Sequence, residues 1–372
     1  MDLADQAVVG RDAMAGEGLA LLEALVGTPS LSGEEGPAAA LLARWLAAHG
    51  CQAEVDGAGN AVGWLDGGLA PGGGPQRTLI LLGHIDTVGG QMPVEVREGQ
   101  LYGRGAVDAK GPLSAFATAL ATAGARPGWR IVVVGAVEEE AATSKGARHI
   151  LATHPRPDLA VIGEPSGWQR ITLGYKGRLL ADATVRQAMA HRSGGTATAC
   201  ELAVDFWNRA VAVLAELNEG RERAWDQVLA SLRAFSSGDD GLQESAQLRL
   251  GFRLPPDIGP GALEEVLRAA AGDVALSFSG AEVAYRADKN TPLARAFLSA
   301  VRAEAGQPAF LLKTGTSDMN VVGPIWRCPI LAYGPGDSRL DHTPEEHLDL
   351  AEWERSVAVL ARVLRGLPAM AV

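Results

Sequence analysis

The chain has 372 residues, 47% of them hydrophobic, and a formal net charge of −11. That length suits two domains better than one core, and no apolar run approaches the roughly 20 residues of a membrane span. The acidic balance argues against nucleic acid or an anionic membrane as partner, and Cys51, Cys200 and Cys328 are too few and too scattered for a disulfide framework or a thiolate metal site.

The first residues, "MDLADQAVVGRDAMAGEG", are acidic and lack an apolar leader core, so a cytoplasmic protein is expected. Residues 16–50 predict two helices around the turn "GTPSLSGEEG". Residues 53–67 predict short strands broken by glycines. "RTLILLGHIDTV" (77–88) reads as a strand apolar on both faces, as in a sheet covered on both sides. A helix follows at 111–125, opened by a proline, then a buried strand at 129–140 and a helix at 145–155. Buried strands are expected again at 158–168 and 328–338, and a long closing helix at 344–367. The alternation predicts an α/β fold: a mixed, mostly parallel sheet with helices on both faces.

Residues 177–287 have a different texture. Half-exposed alternating runs at 177–187, 245–257 and 273–287 are separated by helical stretches at 194–217 and 259–272, with one more strand possible near 225–236. This predicts a small α+β open-faced sandwich inserted as a lid into a catalytic domain made of 1–176 and 288–372.

Acids and histidines fall where the buried strands end. His84 and Asp86 share one side of their strand end. The pair fits a metal-bound imidazole held by a carboxylate, or a simple histidine–acid hydrogen bond closing a strand. Asp108 precedes a helix. Glu138, Glu139 and Glu140 leave a buried strand together, where a cation would relieve their repulsion. Glu164 ends the third strand and His342 follows the fourth. Ligands of open α/β sheets bind beyond the carboxyl ends of strands. Mixed nitrogen and oxygen donors suit zinc, cobalt or manganese better than calcium, and two metals about 4 Å apart need a bridging carboxylate. His49, His149, His154 and His347 read as ordinary residues in or beside helices.

"GHIDTV", "GRGAVDAKGP", "EEEAATSKGAR", "IGEPSG" and "DHTPEE" resemble the metallopeptidase family of aminoacylases, glutamate carboxypeptidases, acetylornithine deacetylases and succinyl-diaminopimelate desuccinylases. The resemblance runs almost the whole chain and implies a zinc-exopeptidase-like fold with two divalent ions, Zn²⁺ or Co²⁺. It implies His84 and Glu164 on one metal, Glu140 and His342 on the other, Asp108 bridging in a cis peptide with Ala109, and Asp86 orienting His84. It makes Glu139 the general base; a register shifted by one would make the base and ligand Glu138 and Glu139. From the lid, His191 resembles the histidine that reaches the oxyanion, although Arg192 separates it from Ser193, and Arg253 resembles the arginine that grips a substrate carboxylate. Such lids pair across a two-fold, so a homodimer is expected.

"IGEPSGWQRITLGYKGRLL", "KTGTSDMNVV" and "CPILAYGPGDSRLDHTPEEHL" resemble one subgroup, hydrolases that release lysine, or ornithine, from the amino-group carrier protein LysW. Asn320 stands where the desuccinylases carry an arginine for a second carboxylate, which fits a substrate ending in an amine. Lys176, Arg178, Lys313, Arg327 and Arg339 are candidates for a basic rim that would meet an acidic carrier, or else ordinary solvated charges. The alternatives are a deacetylase, desuccinylase or dipeptidase of the same family, or a non-catalytic metal-binding partner protein.

Overall fold

The computed structural model describes residues 3–70, 72–191 and 194–370. They form two compact units. One comprises the chain up to Gly174 with Ala287–Leu311 and Ser317 onward; the other comprises Tyr175–Arg286 with Leu312–Thr316. Among the described residues no helix is long and apolar enough to cross a membrane.

The first unit is built on a mixed sheet. Its strands run in the order Gln52–Val55, Ala61–Asp66, Trp129–Ala136, Arg77–His84, Leu159–Gly163, Ile330–Ala332, Arg170–Tyr175. The four from Trp129–Ala136 to Ile330–Ala332 are parallel, and their flanks are antiparallel. Arg77–His84 is buried from Leu79 onward, as a strand covered on both faces must be. The helix Lys110–Ala123 lies on the sheet and is itself covered by the helices Leu3–Val26 and Leu350–Gly366.

Three glycines bring that helix close. Gly83 pairs with Gly135 on one neighbour and Gly163 on the other. A Cβ at Gly163 would sit 2.8 Å from the Phe116 ring, and one at Gly135 would sit 3.2 Å from Leu113. Bare backbone at this level lets the helix press against the strand ends, and that sets where Asp108, just before the helix, meets His84.

Part of the expected closing helix is something else. The helix starts at Leu350, and His347–Asp349 is a strand paired with Gln100–Tyr102. "HLD" alternates, with Leu348 buried between more exposed neighbours, and that period of two belongs to a strand. The Asp349 carboxylate accepts the Glu352 N–H at 2.7 Å and so caps the helix that follows. His347 therefore lies in a strand, stacked on Tyr102, not in a helix. Helices Pro292–Ala303 and Asp318–Trp326 lie within 288–327, a stretch for which the sequence predicts no element.

The second unit is a four-stranded antiparallel sheet, ordered Leu229–Asp239, Gln243–Leu254, Gly177–Ala188, Ala275–Glu282. The helices Ala199–Leu217 and Pro260–Ala271 cover one face, packing Phe206, Leu214, Leu263 and Leu267 against Leu179, Leu248, Leu250 and Phe252. Thr198 and Glu201 start the first helix with a reciprocal capping box. The strand suggested near 225–236 occupies Leu229–Asp239.

Lys176 corrects the expected basic rim. It is fully buried, and its ammonium donates to the carbonyls of Ala224 at 2.7 Å, Trp225 at 3.2 Å and Gln227. Burial pushes it down to about 8. Its charge closes a loop and does not face solvent. Arg327 and Arg339 are exposed, the latter against Asp337 at 2.5 Å.

Candidate metal centre

His84 is the last residue of its strand, and its imidazole is buried. Nδ1 lies 3.1 Å from the backbone oxygen of Asp86 and 3.5 Å from its Oδ1. Nε2 lies 3.2 Å from Asp108 Oδ1. The short contacts of the Asp86 carboxylate go elsewhere. Oδ1 accepts the Glu139 N–H at 3.1 Å, while Oδ2 accepts the Glu140 N–H at 3.0 Å and the Ser32 hydroxyl at 2.7 Å. Asp86 thus fixes the backbone of two glutamates at least as firmly as it orients the histidine.

Asp108 lies between two imidazoles. Oδ1 faces His84, and Oδ2 is 3.1 Å from His342 Nε2. Its peptide bond to Ala109 is cis. His342 also meets Glu140 Oε1 at 2.7 Å. The three adjacent glutamates separate. Glu138 takes a positive φ of 57° and turns to Lys145 at 3.4 Å and the Thr143 hydroxyl at 2.7 Å. Glu139 and Glu140 join the histidines.

The electrostatics follow from crowding. Burial pushes Glu139 well above the ordinary carboxylate range; His84 opposes this, while Glu164, Asp318 and Glu140 add to it. Burial raises Glu140 as well, against its bond to His342. Burial would pull His84 down, but Asp108 and Asp86 outweigh it and hold it well above the usual histidine value. Asp108 and Glu140 push His342 up to about 10. Burial would raise Asp108, yet its bonds to His342 and His84 leave it lowered.

Two sets of side chains could each hold a cation: His84, Glu139 and Glu140, and Asp108, Glu140 and His342. Within each set the ligand atoms lie within 4.8 Å of one another, and Glu140 belongs to both. Imidazole nitrogens with carboxylate oxygens are donors for zinc-like ions. Burial is the main reason Glu139 and Glu140 are raised, neighbouring carboxylates add to it, and a cation between these donors would offset both, so the residues fit a pair of metals.

Glu164 is buried, outside both sets, and close enough to Glu139 to raise it. Asn320 is buried in the same unit, and its Oδ1 accepts the Ser317 N–H at 3.0 Å in a capping box. His191, Arg253 and Lys313 belong to the other unit. His191 is exposed in a loop whose next residues, Arg192 and Ser193, lie outside the described ones. Arg253 donates to the Thr316 hydroxyl at 2.5 Å, and that hydroxyl donates to the Lys176 carbonyl at 3.1 Å. Sequence reasoning missed Asp318, buried one residue after the helix cap, and Ser32. The position of Asp318 in "GTSDMN" was the one available signal, because Ser32 looks like any turn serine.

Residues 80–366 match the model of peptidase family M20/M25/M40. The chain is 48% identical, over 93% of its length and 96% of the relative's, to a protein of Deinococcus radiodurans named [LysW]-lysine hydrolase. It is 36% identical, over 94% of its length and 92% of the relative's, to a Thermococcus kodakarensis protein named, provisionally, [LysW]-lysine/[LysW]-ornithine hydrolase. Its fold matches that of the Saccharomyces cerevisiae dipeptidase Dug1p with a TM-score of 0.80 at 13% identity, covering 99% of each chain. It also matches the Sulfolobus solfataricus metallo-carboxypeptidase Sso-CP2 with a TM-score of 0.77 at 17% identity, covering 95% and 99%. Histidines and acids gathered at the ends of parallel strands, on a chain matched over most of its length, lead to one conclusion: the chain belongs to peptidase family M20/M25/M40 and is a metal-dependent hydrolase of amide bonds.

Proposed function

We propose that this enzyme releases lysine, and its shorter homologue ornithine, from the carrier protein LysW by cleaving the amide between the carrier's C-terminal glutamate side chain and the amino acid's α-nitrogen. The observation that carries the reading is the 48% identity over 93% of the chain to a [LysW]-lysine hydrolase. The centre described above supplies the chemistry.

His84 and Glu164 would hold one divalent ion, Glu140 and His342 the other, and Asp108 both. The two oxygens of Asp108, each turned to a different imidazole, support the sharing. When bound, the ions, zinc or cobalt, supply Lewis acidity to the scissile carbonyl and to water. Glu139 acts as general base. A carboxylate whose proton affinity is raised by burial suits that task, and Glu138, turned to Lys145, leaves Glu139 to face the site. Glu139 takes a proton from the attacking water, the oxygen bonds to the carbonyl carbon, the C–N bond breaks, and Glu139 returns the proton to the departing nitrogen. Asp86 keeps Glu139 and Glu140 in place through their N–H groups. His191 would reach the developing oxyanion, and Arg253 and Lys313 the substrate. Asn320 would leave the far end of the substrate without a cationic fork. We assign the lid to 177–287, the two catalytic segments to 1–176 and 288–372, the assembly to a homodimer and the compartment to the cytoplasm.

The test compares initial rates on carrier-linked lysine, succinyl-diaminopimelate, acetylornithine and dipeptides. The carrier substrate must be fastest. Faster cleavage of succinyl-diaminopimelate, or activity on free acetylornithine without the carrier, would move the enzyme to another branch of its family.

A further inference from the structure

We propose that Glu346 is a positioning residue that holds Asp108 in place, with Arg104 holding Glu346 in turn. The inference rests on the reading of Asp108 as the carboxylate shared by the two donor sets. Glu346 is fully buried. Its Oε1 accepts two backbone N–H groups, Val107 at 3.0 Å and Asp108 at 3.1 Å. Its Oε2 accepts from Arg104 Nη1 at 2.6 Å. A carboxylate this deep is tolerated only with such a full set of donors, one of them cationic.

The position of Glu346 in the chain gives the contact its meaning. Four residues earlier the same segment carries His342, whose Nε2 meets Asp108 Oδ2 at 3.1 Å. One segment therefore holds Asp108 twice, by its side chain and by its own N–H. Arg104 extends the clamp. Its Nε donates to the Gly90 carbonyl at 3.2 Å, in the glycine turn that follows His84 and Asp86. The turn that follows the His84 strand, the turn carrying Asp108 and the segment carrying His342 are thereby tied through two side chains that belong to neither donor set.

An amide cannot replace Glu346. All three donors converge on the carboxylate, so a glutamine would set its own N–H₂ against either Arg104 or the backbone pair. Either choice releases the Asp108 N–H or the guanidinium. Partners lying behind metal ligands typically change metal affinity about 10–100-fold when lost.

The experiment is a Co²⁺ titration of metal-stripped full-length protein, read by visible absorption and calorimetry. The variants are Glu346→Gln and a matched control, Glu352→Gln. Glu352 also accepts two backbone N–H groups, Trp168 at 2.8 Å and Gly336 at 3.2 Å, and belongs to neither donor set. Wild type is expected to take two equivalents. Glu346→Gln should weaken at least one of them about 10–100-fold and shift the cobalt bands. Glu352→Gln should titrate as wild type whatever it does to the urea midpoint. A Glu346→Gln titration and spectrum identical to wild type overturns the proposal, as does an equal weakening by the control. If Glu346→Gln does not fold, Arg104→Gln decides: weakened cobalt supports the clamp and wild-type affinity overturns it. A wild type that takes fewer than two equivalents sinks the shared-carboxylate reading and the clamp with it.

Discussion

Asp86 accepts the backbone N–H of Glu139 at 3.1 Å, joining two residues 53 positions apart. The contact exists because Arg77–His84 and Trp129–Ala136 run parallel with His84 opposite Ala136, so the two chains leave the sheet side by side. The other oxygen of Asp86 holds the Glu140 N–H at 3.0 Å. One buried acid therefore sets the backbone of both candidate base and candidate ligand. Asp86→Asn should lower kcat/KM about 10–100-fold, because the amide N–H₂ must face a backbone donor. Steady-state kinetics beside metal analysis check this, and unchanged kcat/KM contradicts it.

Glu139→Gln keeps shape and removes the base. Turnover should fall about 10²–10⁴-fold while both metals stay bound. A protein that binds metal without catalysing anything would lose nothing measurable, so activity and metal content together separate an enzyme from a binder.

Lys176 provides a pH signature in the second unit. Its folded value is lowered from the ordinary 10.5 to about 8 by burial. Below about 8 both folded and unfolded chains hold this proton. Between about 8 and 10.5 only the unfolded chain does, so the residue's contribution to stability rises with pH across that window. Lys176→Met abolishes the rise and strands buried carbonyls, at about 1–3 kcal/mol each. Urea titrations of wild type and variant should show a gap that widens with pH over the window. A constant gap contradicts the assignment.

Much of the centre could be read from sequence, because apolar runs that stop at His84, at Glu138–Glu140 and at Glu164 must end at the same edge of a parallel sheet. The α/β alternation and the inserted sandwich were visible for the same reason: periods of two and 3.6 are local. Contacts from a side chain to distant backbone were not. "PEEHLDL" reads as the start of the closing helix, yet Glu346 is buried and accepts the N–H groups of Val107 and Asp108. Lys176 reads as a surface cation, yet the carbonyls at 224, 225 and 227 enclose it. The partner in both cases is main chain, which looks the same whatever residue carries it, so no residue type announced the contact.

The substrate can be identified by incubating carrier protein, loaded with lysine on its C-terminal glutamate, with enzyme and Zn²⁺ or Co²⁺ and weighing it by mass spectrometry. The carrier is expected to lose the mass of one lysine residue, free lysine to appear, and a chelator to stop both. A carrier that keeps its full mass in the presence of metal-loaded enzyme, or loses lysine equally with chelator present, would contradict the proposed function.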